Sequence, residues 1–256
     1  MELRVLGCSG GIGQDRHTTS LLIDSDILID SGSGVGDLTM EEMASVRHIF
    51  LTHSHLDHIV FLPLMVDSIF EKINPAIVIH AQPETIKALQ EHIFNWHIWP
   101  DFSALPTTEN PVMRYEPMLP GTSVDIDGRT INMIPVNHIV PTVGYRFEDH
   151  QTGKAFAFTG DTTTNDTFWD ALNYHEQLDM LIVEAAFGNK DEELSNKAKH
   201  YCPKTLVADL AKLKHSPEIY LSHTKPGEEK TIYNECMALL KNRSLTPLKP
   251  GDHFKL

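Results

Sequence analysis

Paired cysteines are missing from this chain. Its three, Cys8, Cys202 and Cys236, are odd in number and widely spaced, which argues against a disulfide framework and fits free thiols in a reducing compartment. Each reads as a buried or tolerated thiol rather than a nucleophile. Long hydrophobic runs are missing too: no apolar window reaches membrane-spanning length. Residues 1–6 enter a strand pattern directly, with neither a basic n-region nor a long apolar h-region, so a cytoplasmic protein without membrane association is expected. Positive charge is scarce. Against 35 Asp and Glu stand 21 Lys and Arg, a formal net charge of −14. So negative a surface repels a polyanion, and no local basic patch overrides the field, which makes long nucleic acid a poor partner. Repeats, low-complexity tracts and linkers are also lacking, so residues 1–256 are read as one domain of ordinary globular composition, with a homodimer left open.

What the chain does have is histidine, 15 in all, and four ligand-type side chains crowd into one stretch. Thr52-His53-Ser54-His55-Leu56-Asp57-His58 follows the apolar run of residues 48–51. Strand alternation sends His53 and His55 to one side, and the turn after them brings Asp57 and His58 alongside. Core packing explains such a cluster poorly. Imidazole with carboxylate suits zinc, with manganese or iron as alternatives, and an incomplete protein shell leaves room for water.

Along the chain, the strand at 3–6 runs into Gly7-Cys8-Ser9-Gly10-Gly11-Ile12-Gly13. No Lys-Ser/Thr pair follows and a second strand comes next, so a tight turn near the site fits better than a phosphate-binding loop. Strands at 21–24 and 27–30 form a hairpin. The second ends in Asp30-Ser31-Gly32, whose carboxylate either orients metal-bound histidines or forms a turn beside glycine. Helices are expected at 36–46 and 56–70, a strand at 77–80 and a helix at 83–95 with Pro83 in its first turn. Residues 94–121 differ from the rest: Trp96, Trp99 and two phenylalanines precede a Pro- and Thr-rich run. This segment is either a flap that stacks on a purine base or a loop burying its own aromatics. Strands return at 123–126 and 130–135 around Asp127-Gly128, a strong hairpin dipeptide, then at 143–147, 155–158, 179–184 and 218–221, with helices at 203–214 and 228–242.

Ligand-type residues recur where apolar runs stop: Asn137-His138, Thr159-Gly160-Asp161 and Ser222-His223. Assembled at one edge, His53, His55 and His138 make a nitrogen-rich site. Asp57, His58 and His223 make a second, and Asp161 bridges them.

At this point the sequence resembles the metallo-β-lactamase superfamily. His53-Ser54-His55-Leu56-Asp57-His58 matches its H-x-H-x-D-H signature, His138 its second motif, Asp161 its bridging aspartate and His223 its last ligand. The resemblance implies an α/β fold, a four-layer αβ/βα sandwich of two facing sheets with outer helices, and two divalent metal ions, zinc in the first place. More narrowly, Leu221-Ser222-His223-Thr224-Lys225-Pro226, the glycine segment, Phe94-Asn95 with Trp99-Pro100-Asp101, and Lys199-His200-Tyr201-Cys202-Pro203 look like segments of class II cyclic-nucleotide phosphodiesterases. Cys202 departs from that pattern, where a hydroxyl residue is expected.

This narrower likeness implies hydrolysis of cAMP or cGMP to the 5′-monophosphate by a hydroxide bridging the two cations, attacking phosphorus in line with O3′. Asp57 ligates and accepts a hydrogen bond from that hydroxide. His200 steadies the oxyanion or protonates O3′, unless it is a surface histidine beside a helix. Lys225 meets phosphate charge or forms a structural salt bridge. Trp96 and Trp99 are the candidates for stacking on the base. Three rivals compete: a ribonuclease Z-type nuclease, which needs a basic arm this chain lacks; a thioesterase or lactonase on the same scaffold; and a non-catalytic metal- or nucleotide-binding sensor, against which the complete ligand set speaks.

Overall fold

Short, mostly buried apolar runs become strands here, and the computed structural model, describing residues 1–256, folds them into two facing sheets. The first contains β1 (Glu2–Gly7), β2 (Ser20–Ile23), β3 (Ile27–Ile29), β4 (His48–Phe50), β5 (Ile77–Ala81) and β6 (Met113–Pro117). The second contains β7 (Ser123–Ile126), β8 (Arg129–Val136), β9 (Thr142–Asp149), β10 (Ala155–Phe158), β11 (Met180–Glu184), β12 (Glu218–Ser222) and β13 (Thr246–Pro247). A last strand, β14 (His253–Lys255), returns to pair with β1. The sheet orders are β14-β1-β2-β3-β4-β5-β6 and β13-β12-β11-β10-β9-β8-β7. Each sheet is antiparallel in one half and parallel in the other.

Period-2 alternation decides which face each side chain joins. Leu21 and Ile23, Ile27 and Ile29, Phe156 and Phe158, and Met180 and Ile182 point between the sheets into a shared core. Their alternates point outward. Leu22, Leu28 and Ile49 pack under α3 (Leu62–Ser68) and α4 (Pro83–His92), while Ala157, Leu181 and Val183 pack under α5 (Thr167–Tyr174), α7 (Pro203–Leu210) and α8 (Glu229–Leu239). The four-layer αβ/βα sandwich follows, as the family resemblance implied. No helix is long and apolar enough to cross a membrane.

The carboxyl ends of β3, β4, β8, β10, β11 and β12 carry Asp30, His53, His138, Asp161, Glu184 and His223. Parallel pairing puts strand ends at one edge, as in other open α/β sheets.

Several local expectations are corrected. The helix foreseen at 36–46 is a 3₁₀ turn (Ser33–Asp37) followed by α1 (Met40–Ser45), restarted at Thr39, whose capping box with Glu42 supplies both hydrogen bonds. The helix at 56–70 is interrupted: α2 (Leu56–Ile59) ends and α3 begins after Phe61, with Pro63 in its first turn. Pro63 cannot continue a helix through its own nitrogen, and the Phe61 N–H is taken by the Ser31 carbonyl at 2.9 Å. Helix α4 stops at His92, not 95. Within the Pro- and Thr-rich run lies β6, parallel to β5. Unanticipated in sequence were β13, β14, α5 and α6 (Glu192–Ala198). The Asp127-Gly128 turn forms as expected, both residues at positive φ as a type I′ hairpin requires.

Candidate metal centre and active site

Two groups of donor atoms sit at the shared edge. His53, His55, His138 and Asp161 place ligand atoms within 4.8 Å of one another, and so do Asp57, His58, Asp161 and His223. Asp161 belongs to both. All seven residues singled out as ligands are thus brought together. Their atoms face each other without bonding well: His58 Nε2 lies 3.2 Å and His53 Nε2 3.7 Å from Asp161 Oδ2, and His223 Nδ1 3.3 Å from Asp161 Oδ1. Yet His53 Nε2, His58 Nε2 and Asp161 Oδ1 are buried with no hydrogen-bond partner. Orphaned donors and acceptors at such depth are costly, and their pointing into one space suits cations shared among them.

Electrostatics agrees at three of the imidazoles; at His58 burial opposes the charge, but Asp161 and Asp30 outweigh it and raise the pKa, so a cation there would have to displace a proton. Burial, then the neighbouring His58, holds the His53 imidazole neutral far below its ordinary range. Burial brings His138 down to about 4 and His223 to about 3. Neutral imidazole is the ligating form. Burial alone would raise Asp161, but His223, His58 and His53 overcome it and keep the carboxylate ionised.

Each ligand is held from behind. Asp30 accepts from His58 Nδ1 at 2.6 Å and from the Thr52 N–H and hydroxyl at 2.8 Å. The hydroxyl of Thr52 also meets His53 Nδ1 at 2.9 Å. Asp30 therefore orients His58, one of its two sequence-stated alternatives, and fixes which ring nitrogen faces the cluster. His138 Nδ1 donates to the Lys199 carbonyl at 2.9 Å, while Lys199 Nζ donates back to the His138 carbonyl at 3.1 Å. Lys199 holds a left-handed backbone at the end of α6 to do so. The glycine cluster braces the last ligand: the His223 N–H donates to the Cys8 carbonyl, and a Cβ on Gly10 would lie 2.6 Å from the His223 carbonyl oxygen.

His200 is buried beside this cluster, its ring 4.9 Å from that of His138 and 5.3 Å from that of His223, centroid to centroid. Its Nδ1 donates to Glu184 Oε1 at 2.8 Å. Burial opposes the charged imidazolium, but the Glu184 carboxylate prevails and raises the His200 pKa. Glu184 also accepts from the Thr162 N–H at 3.0 Å. Sequence reading missed Glu184, though its signal was the one Asp30 gave, a carboxylate closing a fully buried strand. Thr52 and Lys199 were missed because a hydroxyl or a carbonyl behind a histidine leaves no pattern.

Other expectations land elsewhere. Lys225 Nζ donates to the Gly10 carbonyl at 2.8 Å, tying the glycine loop to the last ligand segment, near enough for its charge to lower the His200 pKa slightly. Trp96 and Trp99 are not brought to the ligands. Their segment connects the end of α4 to the start of β6, at the edge opposite the ligand-bearing strand ends. Trp99, Phe94 and Phe102 pack into the outer core of the first sheet, whereas Trp96 is exposed. Cys202, the departure noted in sequence, caps α7: its N–H donates to the Thr205 hydroxyl at 3.1 Å.

Comparison with known proteins decides the family. A model described as the β-lactamase superfamily domain matches residues 26–224. The chain belongs to the metallo-β-lactamase superfamily. Within it, the chain is 26% identical to a Yersinia pestis protein named probable 3′,5′-cyclic-nucleotide phosphodiesterase, over 88% of this chain and 78% of that one. It is 25% identical to a ribonuclease Z of Azobacteroides pseudotrichonymphae, over 95% of both. The crystal structure of unliganded yeast PDE1 superposes with a TM-score of 0.83 at 20% identity, covering 98% of each chain, which shows a shared fold. As a metallo-β-lactamase superfamily protein with a histidine and aspartate cluster able to bind metal, it is a metal-dependent hydrolase.

Proposed function

We propose that the protein is a dinuclear phosphodiesterase that hydrolyses 3′,5′-cyclic nucleotides, cAMP or cGMP, to 5′-monophosphates. The observation that carries this reading is His200, held by Glu184 with its rings' neighbours His138 and His223 beside it. Breaking a phosphodiester expels an alkoxide that needs a proton, whereas a thiolate leaving group does not.

His53, His55 and His138 would hold one divalent cation, Asp57, His58 and His223 the other, and Asp161 both. Two such cations would supply Lewis acidity toward phosphoryl oxygens and would lower the pKa of a bound water. Zinc suits the imidazole-rich donors best. Asp57, partly exposed among buried neighbours, accepts a hydrogen bond and then the proton from the attacking water. With Nδ1 engaged by Glu184, His200 presents Nε2–H to the leaving O3′. The new P–O bond forms opposite the breaking P–O3′ bond, and the His200 proton passes to O3′. Asp30, Thr52 and Lys199 keep the imidazoles in the tautomers this requires.

A ribonuclease Z-like activity is the second reading, supported by the ribonuclease Z relative that this chain matches over 95% of its length. Against it stands the charge of −14, which repels tRNA. The test is zinc- or manganese-loaded protein presented with 3′,5′-cyclic nucleotides, 2′,3′-cyclic nucleotides, bis-phosphodiesters, precursor tRNA and a thioester, with products identified. Release of 5′-AMP or 5′-GMP is the expected result. Cleavage of precursor tRNA alone would favour the second reading, and turnover of the thioester alone would reject both.

A further inference from the structure

Asp209 lies near the end of α7 and is only 2% exposed, yet it belongs to neither donor group. Its Oδ2 accepts three hydrogen bonds, from the Tyr201 hydroxyl at 2.6 Å, the Asn165 N–H at 3.0 Å and the Trp169 indole N–H at 3.2 Å. Its Oδ1 meets Lys212 Nζ at 2.7 Å. Any buried carboxylate needs partners, but these come from particular places. Tyr201 is the residue after His200. Asn165 follows Asp161 by four residues, and its side-chain amide donates onward to the Thr162 hydroxyl at 3.1 Å. That hydroxyl also accepts from the N–H of Asn137, the residue before His138, at 3.1 Å. The Thr162 N–H in turn reaches Glu184, the carboxylate that holds His200. A closed circuit thus runs from Glu184 through His200, Tyr201, Asp209, Asn165 and Thr162 back to Glu184, behind the loops that carry His138, Asp161 and His200.

Stability alone gives little reason for a charge at this depth, since well-packed apolar side chains in place of a buried ion pair are often neutral or stabilising. What the carboxylate adds is a fixed spacing among donors that arrive from separate segments. Burial, then Asp209, pushes the Tyr201 hydroxyl above its ordinary range, so it remains a donor. On the other side Ser195 grips the His200 backbone, accepting its N–H at 3.0 Å and donating its hydroxyl to the His200 carbonyl at 2.7 Å. We propose that Asp209 is a positioning residue which, acting through Tyr201 and Asn165, sets where the His200 ring stands relative to Asp161. It touches neither substrate nor metal. Its consequence for rate rests on the phosphodiesterase reading, in which His200 must meet a leaving oxygen placed by the groups around Asp161. A misplacement of about 1 Å between such groups costs about a hundredfold.

Two variants test this on the zinc-loaded protein. Tyr201→Phe deletes one hydroxyl and keeps the ring, and Asp209→Asn keeps the shape but removes the charge. Arg243→Ala, which gives up bonds of 2.7 and 2.6 Å to the His215 and Leu213 carbonyls beyond the end of α7, is the control for lost hydrogen bonding alone. The first readout needs no turnover. With isotope-labelled histidine, the ring N–H and nitrogen resonances of His200 are expected to shift in Tyr201→Phe and Asp209→Asn and to stay in place in Arg243→Ala. Unmoved His200 resonances in both variants, or an equal shift in the control, overturn the proposal whatever the substrate is. The second readout compares two phosphodiesters: a 3′,5′-cyclic nucleotide, whose O3′ leaves with a proton, and bis(p-nitrophenyl) phosphate, whose phenolate needs none. Both variants should lose about tenfold to a hundredfold in kcat on the cyclic nucleotide, with KM and bound metal near wild type and the nitrophenyl ester turned over as before. Equal losses on both substrates, or a loss of metal, would show general damage and reject the assignment. If wild-type protein hydrolyses no cyclic nucleotide, the phosphodiesterase reading fails, while the resonance readout still decides whether Asp209 positions His200.

Discussion

Asp161 and His200 touch the same space but answer to different tests. Asp161 is shared by both donor groups, so Asp161→Ala should remove bound metal and activity together, with most of the fold kept, read by metal analysis and circular dichroism. His200 lies beside the donors without belonging to either group. His200→Ala should therefore retain its metal and lose about 10²- to 10⁴-fold in kcat; a stoichiometric loss of metal would make it a ligand instead. Glu184→Gln keeps the shape and an acceptor for His200 Nδ1 but removes the charge that favours the imidazolium. Its kcat should fall with KM and metal content near wild type, and Glu184→Asp should recover part of the loss. Burial pushes the Cys236 thiol up to about 12 and the Cys8 thiol likewise, Asp252 adding to the latter. A raised pKa means scarce thiolate: at pH 8 only about one part in 10⁴ is reactive. Neither should react with a disulfide reagent until the protein is denatured. At this scale the ligands were legible because each closes an apolar run, while their supports were not. A hydroxyl at Thr52 or a carbonyl at Lys199 acquires its role only from what the fold places in front of it.

Elements show the same division. Strands announced themselves through apolar runs, and the Asp127-Gly128 turn through the need for positive φ, but the segment after α4 left two readings open. Aromatics and prolines between 94 and 121 suggest either a flap or a loop burying its own aromatics; Phe94 and Phe102 are buried, which fits the loop, and the run also holds the strand β6. Chain order alone sends a connection between parallel strands to the edge where the next one starts, a constraint invisible until β6 is known to exist. The glycine loop is the converse, a feature seen early whose purpose needed contacts. Its Gly10 is tight against the last ligand: a Cβ there would lie 2.6 Å from the His223 carbonyl oxygen and 3.1 Å from its ring. Gly10→Ala should displace His223, weakening metal affinity in competition with a chelator and costing about 1–3 kcal/mol of stability. Gly121→Ala meets nothing within 4 Å, though its φ of +86° is strained for alanine. It should cost about 1 kcal/mol and leave metal affinity alone, which separates the local clash from a general intolerance of added bulk.

Across the whole molecule, the two sheets meet at an edge where Asp30, Asp161 and Glu184 are fully or almost fully buried. A negative chain, −14 overall, concentrates carboxylates where solvent cannot screen them. Elsewhere such charge is matched by pairing: Arg129 binds Asp26 through two bonds of 2.7 Å and Asp24 at 2.8 Å, pinning the β2–β3 turn to the second sheet. At the ligand edge burial holds the imidazoles His53, His138 and His223 neutral, the raised His58 and His200 match part of the carboxylate charge, and bound cations would match the rest. Metal bound to the native state and not to the unfolded chain stabilises it by about 4 kcal/mol at a thousand times Kd. For a protein of this size each kcal/mol shifts Tm by about 2–4 °C. Exhaustive chelation should therefore lower Tm by about 8–16 °C, and restoring zinc should recover it. Asp161→Ala supplies the decisive comparison: having lost the shared ligand, it should melt at the same temperature with chelator or without. A full chelator-induced drop in that variant would mean that the stabilising cations bind somewhere other than the edge where the two sheets join.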